Sequence, residues 1–97
     1  MARNDDVTPA SGVWTQLTNA NASAIRVTNL GSNTILLKAA VGAVAPTDRI
    51  GSIPLRSGET LAADLTIAQL WPGVAGANRI YALTDHAGTL SVSHADA

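Results

Sequence analysis

The sequence has no cysteine, so neither a disulfide framework nor a thiolate metal site can form. It has no phenylalanine, and its only aromatic residues are two tryptophans and one tyrosine. That is a thin supply for a sugar-stacking surface. Charge is scarce and balanced: six Lys plus Arg against seven Asp plus Glu, a net charge of -1. Nucleic-acid binding needs a basic face to meet phosphates, and anionic membranes attract polybasic segments. Neither partner is expected. No apolar run approaches the roughly 20 residues needed to span a bilayer. The opening Met1-Ala2-Arg3-Asn4-Asp5-Asp6 turns acidic at once, and no secretory signal is expected from it.

What remains is 97 residues, a length that fits one domain. The apolar fraction of 46% is inflated by 18 alanines, with Leu, Ile and Val supplying most of the larger groups. Small side chains bury little area, at roughly 25 cal/mol per Å². Ordering the backbone costs about 1–2 kcal/mol per residue against that. An alanine-rich interior of this size is expected to be marginal alone, with assembly as the remedy.

Residues 1–12 are polar and small, and read as an extended arm without a core role. Residues 13–97 then read as a single all-β domain. Val13 to Leu17 alternates, with Val13, Thr15 and Leu17 on one face. Thr18-Asn19-Ala20-Asn21 is a turn or bulge. Ala24–Leu30 and Thr34–Val41 read as strands joined by Asn29-Leu30-Gly31-Ser32-Asn33 into a hairpin. Ile25, Val27, Ile35, Leu37, Ala39 and Val41 are the expected inward residues. After a loop over 42–48, Arg49–Leu55 reads as a strand, with Pro54 restricting it to an edge or strand end. Thr60–Leu65 alternates through Leu61, Ala63 and Leu65. Thr66-Ile67-Ala68-Gln69-Leu70 predicts one helical turn, capped by Thr66 or Asp64 and stopped by Pro72-Gly73. Asn78–Thr84 and Thr89–His94 read as a closing hairpin. About seven short strands with turns between them predict a small antiparallel β-sandwich or barrel with one short helical turn.

No set of residues forms a catalytic signature, and no enzyme or cofactor is expected. His86 and His94 read as solvated. A zinc site joining them to Asp85 or Asp96 has no spacing signature. Glu59, Asp64 and Asp48 have no pairing pattern for glycoside hydrolysis. Gly73-Val74-Ala75-Gly76 lacks the Lys-Ser/Thr of a phosphate loop. Asn21-Ala22-Ser23 fits a glycosylation sequon, which matters only in a secretory pathway. Trp14 stands out of phase with Val13 and Leu17, and Trp71 follows the helical turn. Each reads either as a plug in the open end of the core or as an interface anchor, a role in which Trp is enriched. Arg3 on the arm, Arg49 and Arg56 are the candidate interface donors beside them.

The stretch Arg26-Val27-Thr28-Asn29-Leu30-Gly31, followed by Ile35-Leu36-Leu37-Lys38-Ala39, resembles the first hairpin of small virion modules of tailed double-stranded DNA phages. So does Ile53-Pro54-Leu55-Arg56-Ser57-Gly58-Glu59-Thr60-Leu61. The nearest likeness, over most of residues 13–94, is to head decoration (cement) proteins. That resemblance implies a place on the capsid exterior, the major capsid protein as partner, a trimer, and reinforcement of shell contacts as the function. A tail or fibre module, or a small carbohydrate- or ligand-binding β-sandwich, is the alternative.

Overall fold

A computed structural model describes residues 2–86 and 88–95. Eight strands and one helical turn follow in order: β1 Arg3–Val7, β2 Thr15–Gln16, β3 Arg26–Asn29, β4 Ile35–Ala40, β5 Ile53–Leu55, β6 Thr60–Leu61, α1 Ile67–Leu70, β7 Arg79–Leu83 and β8 Leu90–His94. They form two four-stranded sheets, β1-β8-β3-β6 and β2-β7-β4-β5, antiparallel throughout. The all-β sandwich expected from the sequence is the fold. β1 pairs with β8, β2 with β7, β3 with β6 and β4 with β5, as in one long hairpin rolled upon itself. That is the strand order of a jelly roll.

Period-2 alternation fixes the inward face. Val27 and Asn29 of β3, Ile35, Leu37 and Ala39 of β4, and Leu90, Val92 and His94 of β8 are buried, with half-buried residues between them. The core joins these to Val7, Leu17, Ala22, Ile25, Leu55, Ile67, Trp71, Ala77, Ile80 and Ala82. Only four alanines, Ala22, Ala39, Ala77 and Ala82, belong to it. The expected alanine-rich interior is therefore corrected: branched aliphatics fill the core, and most alanines lie in connections or at partly exposed positions.

Several other expectations are corrected. The segment read as an arm contains β1, which pairs with β8 from Arg3↔His94 to Val7↔Leu90 and buries Val7 in the core. Its polar residues hid it, because an edge strand at a sandwich rim does not alternate cleanly. Neither expected hairpin forms. β3 and β4 lie in different sheets, as do β7 and β8, and of the connections only β4–β5 stays within a sheet. A Gly/Asn/Ser cluster marks a reversal, but it does not say whether the chain returns beside itself or crosses to the other layer. Val13 is exposed although Leu17 is buried. The Gly12 amide donates to the Thr84 carbonyl (2.7 Å) while Thr15 pairs with Ala82. Val13 and Trp14 thus stand together opposite Leu83, and this bulge breaks the phase. β6 is only Thr60–Leu61, so Ala63 and Leu65 are exposed rather than inward.

The helical turn is as expected. Thr66 is the N-cap, its hydroxyl accepting from the Gln69 amide while the Gln69 side chain accepts from the Thr66 amide. Pro54 sits on the edge strand β5. Where β3, β5 and β8 meet the ends of their neighbours, the connections knit tightly. A Cβ on Gly31 would stand 3.3 Å from the Gly88 Cα, so the two segments pass closely there.

Candidate functional site

The two outward faces differ in chemistry. On the first sheet, Asn4 and Asp6 of β1, Arg26 and Thr28 of β3, Thr60 of β6, and Ser91 and Ser93 of β8 face out by register. Four of them bond to one another: Arg26 donates to the Thr28 hydroxyl and the Ser91 hydroxyl (both 3.1 Å), and Thr28 meets Thr60 at 2.9 Å. This face is polar throughout.

On the second sheet the outward residues are Gln16, Arg79, Tyr81, Leu83, Leu36, Lys38, Ala40 and Pro54, with Arg79 donating to Asn21 Oδ1 (3.0 Å). Tyr81 and Leu83 point away from the core, yet they are 4% and 5% exposed. The β4–β5 connection, residues 41–52, folds back against this face. Lys38 Nζ meets Asp48 Oδ1 at 2.6 Å, and Arg49 meets Asp85 through two bonds of 2.9 and 3.3 Å. Asp85 directly follows Thr84, so Arg49 carries the loop to the end of β7. There Ser11 Oγ donates to the Asp85 carbonyl (3.0 Å), which places the Val13–Trp14 bulge alongside. The loop and bulge carry exposed large apolar groups: Ile50 at 77%, Val44 at 70%, Val13 at 57% and Val41 at 50%. Trp14 is half-buried beside them and outside the core.

Both acids of this face are held below their ordinary value of 3.8. The Lys38 ammonium, and then the Ile50 amide, stabilise the Asp48 carboxylate, and the Arg49 guanidinium stabilises Asp85. The four charges therefore come as two closed pairs.

The candidate residues from the sequence fall in different places. Trp14 and Arg49 come together on this face. Trp71 does not: it is 6% exposed, packs in the core and donates Nε1–H to the Gly51 carbonyl (2.8 Å). Its interface reading is replaced by the core reading. Arg3 is committed within the fold, donating to the Leu17 carbonyl (2.7 Å) and pairing with Asp5 (2.7 Å). Arg56 is exposed in the β5–β6 turn, away from the loop. The reading of both histidines as solvated is half right. His86 is exposed, but His94 is buried, with Nε2 accepting from the Asn19 amide (3.4 Å) and Nδ1 against the Ala95 carbonyl (3.0 Å). His86 precedes β8 and His94 is its last residue, so no site joins them. Asp96 lies outside the described residues. Among the described residues, no three His, Asp or Glu gather as a metal site would need.

Sequence reasoning missed Val13, Val44 and Ile50. The available signal was a large apolar residue inside a Gly/Ala/Pro loop, where nothing local can bury it. It also missed Asn29, which is fully buried. Its Nδ2 donates to the carbonyls of Asn33 (2.7 Å) and Leu55 (2.9 Å), and its Oδ1 accepts from the Gly31 amide (2.9 Å). A shallow depression lined by Ala2, Arg3, Asn4, Ser93, His94 and Ala95 offers no unpaired cluster of groups. No protein-family model, curated protein or solved structure matches this chain.

Proposed function

We propose that this chain is a structural protein of a virion that binds the outer surface of the capsid shell and reinforces contacts between major capsid proteins. The observation that carries the reading is the two-sided surface. One sheet has a polar outer face, and the other bears a loop and a bulge that carry exposed apolar side chains. Clustered exposed apolar groups mark protein-binding surfaces. The likeness of Arg26–Ala39 and Ile53–Leu61 to decoration-protein modules points to the shell as the surface bound. The jelly-roll strand order, used among others by viral capsid domains, agrees by analogy at the level of fold. Such a protein performs no reaction. It binds the assembled shell better than free subunits and so stabilises the shell by linkage. On the shell we expect trimers, as the family resemblance implies. A sugar-binding role is less well supported, because Trp71 and Tyr81 are buried and only Trp14 is partly open for stacking.

The test uses particles lacking this chain, with and without added protein. Heating or osmotic shock should release DNA from bare particles first. Equal bursting of bare and fully decorated particles would rule out reinforcement. Copy number separates the head from the tail: a shell protein occurs in many copies per particle and a tail or fibre part in few.

A further inference from the structure

We infer that residues 41–52, between β4 and β5, form a strap hinged at Gly42 and Gly51 that opens as a unit while the sandwich stays folded, baring Tyr81 and Leu83 of the second sheet.

The strap covers this face without belonging to the core. None of its residues is buried, and its largest apolar groups, Val41, Val44 and Ile50, face water. Apolar burial therefore does little to hold it down. Polar contacts do that instead, and they differ along its length. The two ends are anchored from within the fold: the Gly42 amide donates to Asn78 Oδ1 (2.8 Å), and buried Trp71 donates Nε1–H to the Gly51 carbonyl (2.8 Å). The middle is held by the exposed pairs Lys38–Asp48 and Arg49–Asp85. Exposed pairs are individually weak and are screened by salt. Arg79, also outward on this sheet, donates to Asn21 Oδ1 instead. Firm ends and a weakly held middle make the middle the part that lifts. Gly42 and Gly51 have φ of +66° and +77°, and a Cβ on either would meet nothing within 4 Å, so the backbone can turn there without collision. Lys38, Tyr81 and Gln16 form one row across β4, β7 and β2, and Leu83 lies between Tyr81 and Asp85 along the chain. A strap tied to Lys38 and to Asp85 passes over the ground between them. That accounts for Tyr81 and Leu83 being nearly inaccessible although they face away from the core.

Tyr81 is the only tyrosine, so its nitration by tetranitromethane, followed by mass spectrometry, reads the opening. In the native chain it should react more slowly than a free tyrosine amide, and faster as salt is raised roughly tenfold. Asp48→Asn and Asp85→Asn should each raise the rate about two- to fivefold. The double variant should lose most of the salt response. Val92→Ala, a core substitution in the first sheet, should lower the thermal midpoint and leave the rate nearly unchanged. The reverse pattern, with Val92→Ala speeding nitration and the aspartate variants inert, would mean that Tyr81 is reached only by global unfolding, and it overturns the strap. A Tyr81 that never reacts in the native fold, or reacts as fast as the free amide, overturns it too.

Discussion

Asn29 ties two connections and the end of β5 together from inside the sandwich. Its side chain serves the carbonyls of Asn33 and Leu55 and the amide of Gly31, while its backbone bonds to Glu59 and Gly58. Asn29→Ala would leave buried donors and acceptors unmet, at a cost of about 3 kcal/mol by denaturant titration. Asn29→Asp turns a donor into an acceptor facing two carbonyls and should cost more at neutral pH. The tryptophans separate cleanly at this scale. Trp71→Ala empties a core position and should cost about 3–5 kcal/mol. Trp14→Ala removes a half-buried group outside the core and should cost less than about 1 kcal/mol. If Trp14→Ala unfolds the domain as readily as Trp71→Ala, the bulge is part of the core after all.

Among the elements, β1 and the β4–β5 loop carry testable consequences. β1 covers the edge of β8 with five paired residues and supplies Val7 to the core. Its amides should therefore resist hydrogen exchange in the free protein. Deleting residues 2–8 should lower stability and promote aggregation through the uncovered β8 edge. A deletion that melts like the intact chain would return these residues to the status of an arm. The loop is pinned by two carboxylates whose folded values are lowered. Lowered values mean that the pairs contribute fully above the ordinary carboxylate value of 3.8 and lose their contribution as the pH falls through the folded values. Both acids are exposed, so the effect is small. In thermal melts, the native chain should be slightly more stable than the double variant Asp48→Asn, Asp85→Asn near pH 7. The two curves should converge below about pH 3.

The whole molecule is a slab of 30 × 26 × 19 Å. Its core is built of Ile, Leu and Val, and its edges are short, bulged, proline-bearing or lined with inward charge. Both physical motives for obligatory assembly, a weak core and open edges, are thereby removed. The free chain should sediment as a folded monomer at micromolar concentration. A stable trimer in solution would mean that a face of the molecule, not an edge, holds copies together.

The sequence alone determined the elements whose period is local. Ile25–Val27, Ile35–Leu37–Ala39 and Leu90–Val92 announce strands because side chains alternate across a pleat. Thr66 and Gln69 announce a capped turn because the cap is made between neighbours. Pro54 announces an edge because it lacks a donor. The absence of cysteine and of a basic excess set limits on chemistry that hold whatever the fold. Tertiary structure alone decided the rest. Which strands pair depends on layers, so Asn29–Asn33 became a crossing between sheets instead of a hairpin. A polar segment became β1 because β8 offered it an edge. Trp71 entered the core, and Val13 left the face of Leu17 because a bulge read only from the Gly12–Thr84 and Thr15–Ala82 partners shifts the phase by one residue. The candidate surface was least legible of all. Val13, Val44 and Ile50 are separated along the chain, and only the bonds of Arg49 and Ser11 to Asp85 bring them to one side.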